Sequence, residues 1–84
     1  IILARVLDLS GEEAAAELEF KRALQIKPDV AEAHYYYGES LYRRGEISEA
    51  VDEYRQAAKL NANDLNLAGL SQALLSARDL HGAI

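Results

Sequence analysis

The chain contains no cysteine, no methionine and no tryptophan, and only one phenylalanine and one proline, Pro28. Without cysteine neither a disulfide framework nor a thiolate-bound metal can form. Long apolar runs are also missing. No uninterrupted stretch approaches the ~20 residues needed to cross a bilayer, and the opening IILARVLDLS lacks the charged lead and extended apolar segment of a secretory signal. Lysine and arginine are nowhere clustered. Acids exceed bases by five to four over 1–28, seven to four over 29–63 and two to one over 64–84, so a net charge of −5 leaves no basic patch for nucleic acid or an anionic membrane surface. Ser10, Ser40, Ser48, Ser71 and Ser76 lie in no nucleophile-elbow sequence, and no glycine-rich phosphate loop occurs.

What is present reads as helix. Eighty-four residues, half of them hydrophobic and 27% charged, fit one small domain with a thin core. Turn signals fall at Ser10-Gly11, Lys27-Pro28-Asp29, Arg44-Gly45 and Asn61–Asp64, and more weakly at Ala77-Arg78-Asp79. Between them apolar residues recur at helical spacing: Leu3 and Leu7; Ala16, Phe20 and Ala23; Ala33, Tyr37 and Leu41; Ala50, Tyr54 and Ala57; Leu67, Leu70 and Leu74. Connections this short join antiparallel neighbours, so an all-helical array is expected. The chain opens inside an apolar helical pattern and ends on HGAI without a stop signal, which reads as a segment of a longer polypeptide.

The chain also repeats itself. A shift of 34 residues lays Leu7 on Leu41, Gly11 on Gly45, Ala16 on Ala50, Phe20 on Tyr54, Ala23 on Ala57 and Ile26 on Leu60. A shift of 33 then lays His34 on Leu67, Tyr37 on Leu70, Gly38 on Ser71, Leu41 on Leu74 and Ala50-Val51 on Ala83-Ile84. The repeating unit is a pair of helices. Residues 31–64, AEAHYYYGESLYRRGEISEAVDEYRQAAKLNAND, carry His34, Tyr37-Gly38, Leu41, Gly45, Ala50, Tyr54 and Ala57, and by these residues the chain resembles the tetratricopeptide repeat family. That resemblance implies an all-α solenoid of antiparallel helix-turn-helix repeats in a right-handed superhelix, about two and a half repeats long. Residues 1–30 would be a first repeat lacking the start of its first helix, 31–63 a full repeat, and 64–84 a partial third. Two departures stand out: Ala62 occupies the place of the usual proline, and Ser71 and Arg78 replace glycines in the third unit. Small residues have a packing reason here, because Gly38 and Ala4 allow close helix approach while Ala16, Ala50, Ala23 and Ala57 leave room for Phe20 and Tyr54.

The run Tyr35-Tyr36-Tyr37 is split by helical geometry, since successive side chains diverge by about 100°. Tyr37 shares an arc with Ala33, His34, Gly38 and Leu41 and is expected in the core. Tyr35 and Tyr42 lie two turns apart on the opposite arc with Glu32, Glu39 and Arg43, while Tyr36 is an edge residue. In the family, first helices line a concave groove where peptides or partner helices dock. The resemblance therefore implies a partner-binding groove of Arg5, Glu32, Tyr35, Glu39, Tyr42, Arg43, Ala68 and Gln72. Packing of Tyr35 and Tyr42 against neighbouring first helices is the alternative. These residues do not form the lysine and asparagine clamp for a C-terminal carboxylate known in the family. Glu32 and Glu39 among tyrosines suit a ligand carrying Arg or Lys, or a neutral helix anchored by aromatics.

No catalytic constellation emerges. His34 and His81 are isolated, which suits packed or capped side chains better than ligands, and the carboxylates of 12–17 and 46–53 fall near helix starts as a solvated face. The expected function is a protein-interaction scaffold, not an enzyme, with no cofactor, no nucleic acid and no membrane insertion by this segment. Its partner would be a protein or peptide. Two alternatives remain: a structural or self-associating solenoid segment, stacking through Leu67, Leu70, Leu74 and Ile84, and the recruitment arm of a larger enzyme.

Overall fold

A computed structural model of the chain describes residues 2–82, with side chains over 3–78; the expectations resting on His81, Ala83 and Ile84 lie outside the described residues. Among the described residues five helices follow one another: α1 (Ile2–Leu9), α2 (Glu13–Ile26), α3 (Ala31–Arg43), α4 (Ile47–Leu60) and α5 (Asp64–Gly82). No strand occurs among the described residues. Each helix packs on the next, and the array measures 39 × 27 × 18 Å. The first helices also meet one another. Asp8 of α1 accepts hydrogen bonds from Ser40 and Arg43 of α3, and Tyr42 of α3 meets Ser76 of α5, so α1, α3 and α5 form one layer and α2 and α4 the other.

The repeat is visible in the turns. Gly11 and Gly45 both adopt the left-handed region, with φ of +88° and +85°, and a Cβ at either would meet nothing within 4 Å. Their role is conformational. After each, the chain closes the same pair of bonds: Gly11 N–H to Asp8 C=O and Glu12 N–H to Leu7 C=O, then Gly45 N–H to Tyr42 C=O and Glu46 N–H to Leu41 C=O. That pattern is the Schellman closure, which satisfies carbonyls a helix end would otherwise leave unpaired.

Arg78 stands where a third such glycine would fall, and the weak turn expected at Ala77–Asp79 does not form: α5 continues as one helix to Gly82. A side chain in the left-handed conformation costs roughly 1–2 kcal/mol, whereas continuing the helix adds hydrogen bonds. The α4–α5 turn lacks proline at Ala62 and is held differently. Asn63 Oδ1 accepts the Asn66 N–H at 2.8 Å, capping α5. Asn66, 3% exposed, in turn donates its amide to the carbonyls of Asn61 at 2.7 Å and Ala57 at 3.3 Å, closing the end of α4.

The core is a row of small residues filled by rings. Ala4, Ala16, Ala50, Ala57 and Ala73 are fully buried, Phe20 lies among them, and Tyr37 stacks on Phe20 with centroids 5.5 Å apart. Burying a ring of that size contributes about 1.5–3 kcal/mol. The Tyr54 ring lies between two glycines, Gly38 of α3 and Gly69 of α5. On α5 the buried face runs through Asn66, Gly69 and Ala73, with Leu70 half-buried, leaving Leu67 and Leu74 at 44% and 42% exposure. The leucine stripe read from the sequence thus straddles the edge of the core.

Candidate functional site

The opposite arc of α3 opens onto a groove. Between α3 and α5 lies a cleft of about 430 Å³ lined by Tyr35, Glu39, Tyr42, Arg43, Tyr54, Leu65, Ala68, Gly69 and Gln72. Helical periodicity explains the α3 contribution, because Tyr35, Glu39 and Tyr42 follow at i, i+4 and i+7 on the arc opposite Tyr37. Ala68 and Gln72 enter from α5 at i and i+4. Six of the eight residues expected in a partner groove therefore meet around one cleft. Arg5 and Glu32 do not. Arg5 places its guanidinium 4.0 Å from the centroid of the Tyr36 ring, and Glu32 is exposed in the first turn of α3.

The tyrosines divide as geometry requires, with more internal bonding than sequence alone indicates. Tyr37 is 6% exposed and donates to Glu17 at 3.3 Å. Burial, with the nearby Glu17 charge, pushes its phenol far above the ordinary tyrosine range. Tyr35 is half-buried, packing against Tyr54 at 5.5 Å between centroids and edge-on against Tyr36 at 5.3 Å. Its phenol is raised first by burial, then by the charge of Glu39. The Tyr42 hydroxyl pairs with that of Ser76 at 2.6 Å. Tyr35 and Tyr42 thus line the groove and also tie α3 to its neighbours; Tyr36, left as an edge residue by periodicity, is the platform for Arg5.

Charges at the groove edge are unequally committed. Asp8, with its side chain 7% exposed, takes the Arg43 guanidinium on one oxygen and the Ser40 hydroxyl on the other at 2.8 Å. Glu39 reaches the same guanidinium only at 3.7 Å and is 40% exposed. Two carboxylates share one cation.

Other carboxylates that the sequence places on a solvated face are engaged. Glu17 receives Arg44 at 2.9 Å, closer than Lys21 at 3.8 Å, and that hydrogen bond holds its carboxyl below the usual range against the opposing effect of burial. Glu53 bonds His34 Nδ1 at 2.7 Å while His34 Nε2 meets the Pro28 carbonyl at 2.8 Å, so both ring nitrogens face protein acceptors. The helical spacing that located the groove could not find these pairs, since 27 residues separate Glu17 from Arg44 and 19 separate His34 from Glu53. Gly69, Leu65 and Tyr54 were also missed as groove residues. An interior glycine in a helix was the available signal for close approach at Gly69.

Stacked antiparallel helix pairs with a side-chain-lined cleft along their first helices define a helical-repeat protein of the α-solenoid class. Residues 31–64, which build α3, α4 and the turn to α5, match the family model described as tetratricopeptide repeat. The match supports a tetratricopeptide repeat over this unit, and the packed helices on either side of it are consistent with a solenoid of such repeats. No curated protein matches the chain at a significant level. Repeats of this family generally mediate protein–protein interaction and are typically non-catalytic scaffolds. No helix among the described residues is long and apolar enough to cross a membrane.

Proposed function

We propose that this chain is a docking module that binds a peptide or partner helix in the groove between α3 and α5, with no reaction of its own. The observation that carries this reading is the convergence of Tyr35, Glu39, Tyr42, Arg43, Ala68 and Gln72 around a cleft of about 430 Å³, within the size range of ligand clefts, roughly 300–1,000 Å³. Tyrosine suits the role, because it offers large contact area with few torsions to freeze and a hydroxyl for hydrogen bonding. In this reading residues 1–30, 31–63 and 64–84 act as successive stacking units that hold the groove preformed, which reduces the ordering cost of binding.

A displayed random-peptide library selected on the immobilised chain tests it. Ala68 is exposed and lines the groove, so Ala68→Trp obstructs the cleft without removing a packing contact. Replacing Tyr35 and Tyr42 would confound binding with stability, given their contacts with Tyr54 and Ser76. Selected peptides should lose affinity for Ala68→Trp and keep it for Leu18→Gln, at an exposed position on α2. Peptides indifferent to Ala68→Trp would end the groove reading. A second reading, self-association through α5, is favoured by the exposure of Leu67 and Leu74. Sedimentation separates the two: a concentration-dependent oligomer abolished by Leu67→Asp with Leu74→Asp supports stacking of copies.

A further inference from the structure

We propose that the α3–α5 groove seats an arginine side chain of the partner, with its guanidinium paired to Glu39 and laid against the tyrosine rings that line the cleft. This rests on the docking reading above and names the chemistry that the groove selects. Three features point to a cation.

The first is the cost of each alternative. Arg43 is the only cationic side chain lining the groove among the described residues, and it is held by Asp8, whose carboxylate is 7% exposed. A partner carboxylate could use the N–H groups of Arg43 that remain open, but it would share a cation already held by Asp8 and Glu39 and would meet the repulsion of both carboxylates. A partner guanidinium faces no such cost. It would meet Glu39, which is 40% exposed and holds only a 3.7 Å contact to an arginine already engaged elsewhere.

The second feature is the ring surface. Tyr35 and Tyr42, both half-buried, line the cleft, and the faces of such rings attract cations, guanidinium more often than ammonium. The chain already makes one such contact beside the groove, where the Arg5 guanidinium lies 4.0 Å from the Tyr36 centroid. The third is the field inside the cleft. After burial, the Glu39 charge is the largest influence raising the Tyr35 phenol, and Arg5 opposes it more weakly. The chain as a whole carries a net charge of −5, which favours encounter with basic segments.

Peptides selected on the wild-type chain and shown by Ala68→Trp to occupy the groove provide the probe. A single arginine should recur in them. Its replacement by alanine, and Glu39→Gln in the chain, should each weaken binding about tenfold, and the two together should cost little more than either alone. Selection on Glu39→Lys should exchange that arginine for aspartate or glutamate. Glu32→Gln, a carboxylate outside the groove, should leave the selected sequences unchanged, and far-ultraviolet circular dichroism establishes that each variant is folded. Groove-bound peptides without a basic residue, or with affinity unchanged by Glu39→Gln, would refute the arginine seat while leaving the docking function intact. Failure to obtain any peptide sensitive to Ala68→Trp would refute both.

Discussion

Replacing Gly69 with alanine should destabilise the fold although alanine is the better helix former. A Cβ at Gly69 would lie 2.7 Å from Tyr54 Cε1, 2.9 Å from Tyr54 Cδ1 and 3.2 Å from Tyr35 Cε1. The shortest of these is about 0.7 Å inside ordinary carbon–carbon contact. The Tyr54 ring cannot swing clear cheaply, since it is 5% exposed and also lies against Gly38, where a Cβ would stand 3.1 Å away. Relief therefore requires α5 to shift outward, loosening its contacts with α4. Overpacking of this kind costs about 1–3 kcal/mol, and the propensity gain of glycine to alanine returns up to about 1 kcal/mol. The net is a loss of up to roughly 2 kcal/mol, or a fall in Tm of up to about 16 °C for a domain of this size. Gly38→Ala, with contacts of 3.1–3.2 Å, calls for only a few tenths of an ångström and should be close to neutral. Thermal unfolding followed by circular dichroism measures both. The decisive comparison is a double-mutant cycle, because in a Tyr54→Ala background the obstacle is gone and Gly69→Ala should become neutral or stabilising. If Gly69→Ala raises the Tm in the wild-type chain, or its cost persists without the Tyr54 ring, the wedge between the two glycines is wrong.

Asn66→Ala should cost about 1–3 kcal/mol, because it removes the donor that serves the Asn61 carbonyl at 2.7 Å and the second donor, at 3.3 Å, to an Ala57 carbonyl that keeps the Asn61 N–H; urea unfolding in which Asn66→Ala shifts the midpoint no more than an exposed Asn61→Ala would contradict this. Glu17 has a folded pKa lowered chiefly by its hydrogen bond from Arg44, so its contribution is fully present above the unfolded value of about 4.5 and disappears as pH falls through the lower folded value. Between pH 7 and strongly acidic conditions Glu17→Gln should therefore lose less stability than wild type, by up to about 1 kcal/mol for a partly exposed pair, and identical acid profiles would refute the assignment.

The helices, their turns and the split of the tyrosine run were readable because each depends on residues close together in the chain. A Schellman closure involves six consecutive residues, and the inward face of α3 follows from its own period, which separates Tyr37 from Tyr35 and Tyr42. The groove was partly readable for the same reason: it is built from the faces of α3 and α5 that packing leaves over, so six of its residues could be named in advance. The arrangement of charges belongs to a different scale. Asp8 with Arg43, Glu17 with Arg44 and His34 with Glu53 are separated by 35, 27 and 19 residues, and each requires a long side chain to cross between helices whose relative rotation no local period specifies. The rotation of α5 is the sharpest case. An alignment that treats Ser71 as the successor of Gly38 makes Leu67 and Leu74 the natural core positions. Instead the Tyr54 ring selects Gly69, where the absence of a side chain lets a ring meet the helix backbone, and Asn66 locks the turn that proline would otherwise stiffen. The consequence reaches the proposed binding surface, because the same rotation that buries Gly69 and Ala73 presents Ala68 and Gln72 to Tyr35 and Tyr42 across the groove. Packing of the third unit and the shape of the groove are therefore one variable, and a substitution at Gly69 that moves α5 should alter peptide affinity even though a glycine offers a ligand no side chain.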